Sequence, residues 1–430
     1  MPDPIKPGPA GSHDDTGAGG ARHDSYASFR YPGFRWFIAS LLAATLGVQV
    51  QGLVVGWQVY EQTGDPLALG LIGLAEVLPF IGVALYAGHV ADRADRRVLC
   101  LASLAVLVAC SVALLALTAS PHLIEDGRVW PIYAVIFVSG IARSFLQPAR
   151  TALGAEIVPR ELYPNAVAWR SSVWQAAAVV GPAAGGLLYA AGGARLAYAV
   201  DVALMVAALA ALAKVVHEPR PREAGPAVSV GEDLTVGIRF LRGQPVLLAA
   251  LTLDMFSVLF GGAVALLPVF ASEVLHVGPR GLGLLRAAPA VGAVAMSVFL
   301  AHRPPLERAG RTLLACVAVF GLCMIGFGLS RSFALSLGLL ALSGMVDNVS
   351  VVIRSTLLTV LTPEHLLGRV SSVNSIFIGS SNEIGQFESG VAARLMGTVP
   401  SVVFGGAMTL LVVAVMAWRV PQLRGLRRIQ

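Results

Sequence analysis

Gly88-His89-Val90-Ala91-Asp92-Arg93-Ala94-Asp95-Arg96-Arg97 lies between two long apolar stretches, and its reading decides the fold. One apolar segment ends in it and the next begins at Val98. A chain that reverses at a membrane surface in so few residues needs a dense cationic turn, and such turns stay on the cytoplasmic side. Gly88 leaves room for a neighbouring helix to come close. Asp92, at the mouth of the turn, is placed to sit on the positive end of another helix's dipole.

The composition around this turn agrees with a membrane protein. Of 430 residues, 56% are hydrophobic and only 13% charged, against about 25% charged in soluble domains. The net charge of +6 is carried in short turns between apolar segments, which excludes a nucleic-acid footprint. Cys100, Cys110, Cys316 and Cys323 fall in apolar runs without metal-ligand spacing and read as small hydrophobes.

Apolar runs long enough to cross about 30 Å of hydrocarbon number twelve: 34–60, 67–90, 98–118, 130–149, 165–190, 196–216, 245–272, 281–302, 311–329, 333–356, 370–396 and 402–420. The turns on the side of both termini, with the two tails, hold 22 of the 31 Lys and Arg residues. The opposite side holds four: Arg128, Arg195, Arg280 and Arg331. This asymmetry places both termini in the cytoplasm. The expected organisation is a disordered cytoplasmic tail (1–30), a six-helix bundle (31–216), a cytoplasmic linker (217–244), a second six-helix bundle (245–420) and a basic tail (421–430). Residues 1–30 are rich in Gly, Pro, Asp and Ser and do not read as a signal peptide. Within the linker, Gly231 to Gly243 can form a short amphipathic surface helix.

The two halves repeat each other. A shift of 204 residues aligns Gly140 with Gly344, Arg150 with Arg354, Pro159 with Pro363, Gly181 with Gly385 and Gly186 with Gly390. A shift of 210 aligns Gly73 with Gly283, Pro79 with Pro289, Gly82 with Gly292 and Arg93 with Arg303.

The opening turn, a Gly-x-x-x-Asp-Arg-x-x-Arg-Arg pattern in the second hairpin, resembles the signature turn of the major facilitator superfamily. That resemblance implies twelve transmembrane helices in two pseudo-symmetric six-helix bundles, an all-α membrane protein that rocks one bundle against the other. It implies a conformational role for Gly88, Asp92, Arg93, Arg96 and Arg97. Thr63-Gly64-Asp65-Pro66, Pro159-Arg160-Glu161-Leu162 and Thr362-Pro363-Glu364-His365 resemble the branch of the superfamily that includes the enterobactin exporter, which implies export. Gly181-Pro182-Ala183-Ala184-Gly185-Gly186 resembles the fifth-helix motif of drug/proton antiporters. Pro182 removes one helix hydrogen bond, and Gly181, Gly185 and Gly186 permit close packing, so a hinge and a plain packing kink are both open.

Six acids and five arginines lie within the predicted spans, each costing about 2.5–3.5 kcal/mol at a helix centre. They must pair, protonate or face a wet cavity. Glu76, Asp254 and Glu383 sit near mid-depth and are the expected proton carriers, with Arg143 biasing a nearby carboxylate. Under the repeat, Glu76 falls opposite Arg286 and Arg143 opposite Asp347. These charges, with Glu388, are expected to meet across or line a central cavity in one access state, or else to pair within their own halves. Asp201 reads as a solvated helix-end residue, and Arg170, Arg354 and Arg394 as residues snorkelling from span ends.

The eleventh span is too polar to face acyl chains and is expected in the interior. Its Asn382 and Gln386, with Gln49 and Gln51, supply polar anchors for a cavity; Trp174, Phe256 and Phe260 supply aromatic walls. Such a lining suits a small amphipathic organic molecule. No P-loop, Gly-x-Ser-x-Gly or His/Cys/Asp ligand set is found, so neither cofactor nor metal is expected and an enzyme is set aside. The reading is a proton-coupled secondary transporter, exporting a siderophore- or drug-like molecule from a bacterial-type inner membrane as a monomer. Its partners are the substrate, protons and the lipid bilayer. A lysophospholipid flippase or a transporter-like sensor are the alternatives.

Overall fold

A computed structural model describes residues 24–120, 128–216, 230–261, 263–303 and 308–426. The side chains of residues 80, 84, 85, 88, 89, 91–93 and 230–234 are not among those described. The predicted 1–30 tail, most of the 217–244 linker and the end of the basic tail therefore lie largely outside the described residues, as do the side chains of Gly88, Asp92 and Arg93.

The described chain is built of helices, twelve of which form the spans. These are α1 (Pro32–Thr63), α2 (Pro66–Arg93), α3 (Arg96–Ala119), α4 (Trp130–Glu156), α5 (163–191) and α6 (194–213). After the linker come α7 (Pro245–Val274), α8 (Gly278–Ala301), α9 (Ala309–Leu329), α10 (Phe333–Leu361), α11 (Glu364–Met396) and α12 (Thr398–Arg419). Ten continuous helical stretches are long and apolar enough to cross a membrane. One of them, Arg160–Ala213, is two spans divided at Gly192 and Gly193, where φ reaches +66° at Gly193. Such a conformation favours glycine and ends α5. The twelfth is α11, whose 33 residues suffice in length and whose serines, asparagines and acids lower its hydropathy.

Local chemistry sets the boundaries. Proline opens α1, α2 and α7, where its missing N–H is not needed. Gly64, at φ +59°, closes α1. Asp65 then caps α2 by accepting from the Leu67 amide at 2.9 Å. In the signature turn Asp95 caps α3, accepting from the amides of Arg97 (2.8 Å) and Val98 (3.0 Å). Arg96 bonds Glu156 at the end of α4 at 2.5 Å, and Arg97 donates to the Ala213 carbonyl at the end of α6 at 2.7 Å. The turn is thus fastened to two other helix ends, which is more than a generic cationic stop does. The linker carries a helix, Val230–Arg242, over the stretch predicted to form one. Its Gly237 lies against Val373 and the Arg369 carbonyl of α11.

An even number of spans puts Tyr31 and Val420 on one face, here the near face, with the Gly64–Asp65 turn on the far face. The halves meet along two helix pairs, α2 with α11 and α5 with α8. Small residues bring these pairs together. A Cβ placed on Gly73 would come 2.7 Å from the Glu383 carbonyl, and one on Gly283 would come 2.7 Å from the Pro182 carbonyl. Gly73 and Gly283 are repeat partners, so the two crossings are built alike. Gly70 against Gly390 and Gly186 against Gly283 continue the contact toward the far face. There Arg394 pairs with Asp65 at 2.5 Å and Tyr60 bonds Glu273, both joining one half to the other.

Candidate functional site

Glu76 and Arg143 are brought together by the packing of their helices. A Cβ on Gly140 would lie 2.7 Å from Cγ of Pro79, so only glycine lets α4 approach α2 here. Glu76 stands three residues before Pro79 and Arg143 three after Gly140, each on the contacting face of its helix. Arg143 donates to Glu76 at 2.6 Å and to the Gln51 side-chain oxygen at 3.3 Å. The Gln51 amide in turn donates to Ser111 and Asp201, both at 3.3 Å. A polar chain therefore runs from Asp201 on α6 through α1 and α4 to Glu76 on α2.

The second half brings Glu383 and Arg286 to the same place. The Glu383 carboxyl is in hydrogen-bonding reach of Glu76 and accepts from Gln386 at 2.8 Å. Arg286 crosses between the halves and donates to the Gly52 carbonyl at 3.0 Å. Together these groups border a cavity of about 450 Å³ enclosed by both halves. Gln49, Gln51, Asn382 and Gln386 line it, as do Glu76, Arg143, Arg286, Asp347 and Glu383. The cross-half contacts described above lie at its level or between it and the far face.

Several residues singled out in the sequence stand elsewhere. Asp254 does not line the cavity. It is buried in an ion pair with Arg354, both 6% exposed. Arg354 therefore does not snorkel: α10 continues to Leu361, beyond the predicted end, which places Arg354 inside the bundle. Asp201 is fully buried rather than solvated, because α6 begins at residue 194 and turns it toward α1 and α3. Phe256 and Phe260 stack on each other, with centroids 6.0 Å apart, and do not line the cavity. Trp174 is exposed and also absent from the lining. Phe320 and Met324 of α9 provide the apolar wall instead. Glu388 has no ion pair among the described residues and lies outside the lining.

The glycines of the fifth-helix motif act in packing. Gly181 and Gly185 lie against Gln49 and Val50 of α1, and Gly186 against α8. The helix keeps regular geometry through Pro182; the breaks in backbone conformation come only at Gly192 and Gly193.

The far-face contacts, Tyr60 with Glu273 and Asp65 with Arg394, had no signal in the repeat. Each joins residues that do not correspond under either shift, and each lies at a helix end where a polar residue reads as solvated.

A model of the Major Facilitator Superfamily matches residues 37–386. The chain is 26% identical to a protein named Enterobactin exporter EntS from Shigella flexneri, covering 93% of this chain and 94% of the relative. It is 25% identical to the protein of the same name from Citrobacter koseri, with the same coverage. Among solved structures, a POT family transporter in complex with 5-aminolevulinic acid superposes with a TM-score of 0.70 at 12% identity, over 91% of this chain and 97% of that one. A bacterial homologue of the human lysosomal transporter Spinster, inward-facing and occupied, gives 0.69 at 13% identity, over 93% and 99%. At these identities the solved structures speak for the fold.

Proposed function

The chain belongs to the major facilitator superfamily, a multi-pass membrane transporter of small molecules, and we propose that it exports a small amphipathic organic molecule in exchange for protons. The contact between Glu76 and Glu383 carries this reading. Two carboxyls from opposite halves meet at the cavity, with Arg143 and Arg286 beside them. Like charges in contact cannot both stay ionised in a low-dielectric site, so such a pair is a place to hold one proton. Export in exchange for protons requires the pair to take up its proton from the far side and to lose it to the near side in the present state, where Arg143 and Arg286 stand beside the carboxyls and favour the ionised form. One charge crossing 100 mV supplies about 2.3 kcal/mol, enough for roughly a fifty-fold gradient.

Export is supported by the relatives' name and by their coverage of nearly the whole chain. A siderophore-like cargo fits a cavity with polar anchors and an apolar wall. The near face is assigned to the cytoplasm of an inner membrane, because the cationic turns lie there. With the far face held by Asp65–Arg394 and Tyr60–Glu273, the molecule is in the state sealed from the outside. Asp254 is assigned a structural role with Arg354.

Everted vesicles containing the full chain test the proposal with a panel of siderophores, amphipathic drugs and lysophospholipids, with and without an imposed pH gradient. Accumulation of one organic class that needs the gradient, and is lost in Glu76→Gln and Glu383→Gln, supports it. Gradient-independent accumulation, or normal coupling in both variants, contradicts it.

A further inference from the structure

Arg286 and Asp347 hold in the second half the positions that Glu76 and Arg143 hold in the first, with the charges exchanged. The supporting geometry is repeated too. Gly344 packs on Pro289 as Gly140 packs on Pro79, and Arg286 and Asp347 stand three residues from that contact on their helices. The first half closes this arrangement into a 2.6 Å ion pair. The second half does not. Arg286 turns across the molecule to the Gly52 carbonyl, and the charges acting on it are Glu76 and Glu383.

Asp347 is consequently left without an ion pair or side-chain hydrogen bond among the described residues. The charges nearest to act on it are Arg354 and Asp254, which are engaged with each other. Asp347 lines the cavity and is exposed. The other cavity charges each have a partner: Arg143 with Glu76, Glu383 with Gln386, Arg286 with Gly52. A carboxylate at mid-depth costs about 2.5–3.5 kcal/mol unless compensated. Water in the cavity hydrates this exposed carboxylate, and a cation entering beside Phe320 and Met324 of α9 can take that water's place.

We propose that Asp347 is the anchor for a protonated amine or comparable cation on the transported molecule, whose apolar body lies against Phe320 and Met324. The substrate class is thus a cationic amphipath, with its positive group standing where symmetry would have placed the Arg286 guanidinium. This rests on the transporter reading and narrows its cargo; it does not depend on proton coupling.

The test uses two fluorophores that share one aromatic body and differ in charge, dansylcadaverine (a protonated amine) and dansylglycine (an anion). Each is titrated against the full chain in nanodiscs at neutral pH, by the rise in dansyl emission. The expected result is that the wild type binds the amine at least about tenfold more tightly than the anion. Asp347→Asn should lose about tenfold in amine affinity with the anion unaffected, and Asp347→Glu should retain most of it. Asn is nearly isosteric and Asp347 makes no internal bond, so folding, read by thermal unfolding, should be unchanged. Equal affinity for the two probes, preference for the anion, binding of neither by folded protein, or an Asp347→Asn variant that keeps wild-type amine affinity overturns the proposal. Each of these leaves pH-driven export open, because that is read separately in the Glu76 and Glu383 variants.

Discussion

Arg143 reaches Glu76 at 2.6 Å, whereas Asp347 and Arg286, at the repeat-related positions with reversed sign, stay apart. This broken symmetry divides the labour of the cavity. One half keeps its charge pair, and the other sends its arginine across the boundary toward two carboxyls and leaves an acid open to the cavity.

Removing either carboxyl of the Glu76–Glu383 contact should abolish coupling without unfolding the chain. Glu76→Gln and Glu383→Gln preserve shape and hydrogen-bonding capacity, and a drop of at least about tenfold in gradient-driven transport is expected, with expression and thermal midpoint near wild type. Vesicle transport and thermal unfolding in parallel check this.

Asp254 and Arg354 should behave in the opposite way. Breaking a buried pair by removing one partner costs about 3–5 kcal/mol. Asp254→Asn and Arg354→Gln should therefore lower the thermal midpoint strongly. The paired replacement Asp254→Leu with Arg354→Met should recover much of the loss, since apolar residues of similar volume can fill such a site. Recovery of both stability and gradient-driven transport in the double variant would place the pair in the scaffold; stable protein without coupling would return Asp254 to the transport machinery.

The glycines at the two crossings should not tolerate a side chain. Gly73→Val and Gly283→Val drive atoms into opposing carbonyls, and overpacking of this kind costs about 1–3 kcal/mol. The penalty should fall on the state with the far face closed. Reactivity of a single cysteine placed at Gln62 toward a membrane-impermeant reagent should rise in both variants relative to the wild-type background.

The Asp65–Arg394 pair is half exposed, with side chains 33% and 57% accessible, so it is worth at most about 1 kcal/mol. Asp65→Asn should shift the balance of access states by no more than about five-fold. A larger shift would mean that the pair acts together with Tyr60–Glu273 as a unit.

The spans, their pairing into halves and the polar character of α11 could be read in the sequence because membrane insertion filters on hydropathy and length. Glu76, Arg143, Arg286, Asp347 and Glu383 could be picked out because a charge at mid-depth must have a reason to be there. Which charges touch could not be read. Asp254 and Arg354 are such charges, yet they meet away from the cavity; span ends fixed by hydropathy alone fall several residues short of Leu361, which hides the pairing. The rotation of a helix is equally hidden: Phe256 and Phe260 share a face that turns toward each other, while Phe320, one among several aromatics of its half, reaches the cavity.

The central claim is that the proton held between Glu76 and Glu383 selects the access state. Spin labels at Leu67 and Leu395 report the far face, and labels at Val167 and Phe299 the near face, on a chain whose four cysteines are replaced by alanine. Pulsed dipolar distances collected from acid to alkaline pH should show the far-face and near-face distances changing in opposite senses in the parent chain. In the Glu76→Gln/Glu383→Gln double variant both should lose their pH dependence. A parent chain insensitive to pH, or a double variant that responds as the parent does, would contradict the account.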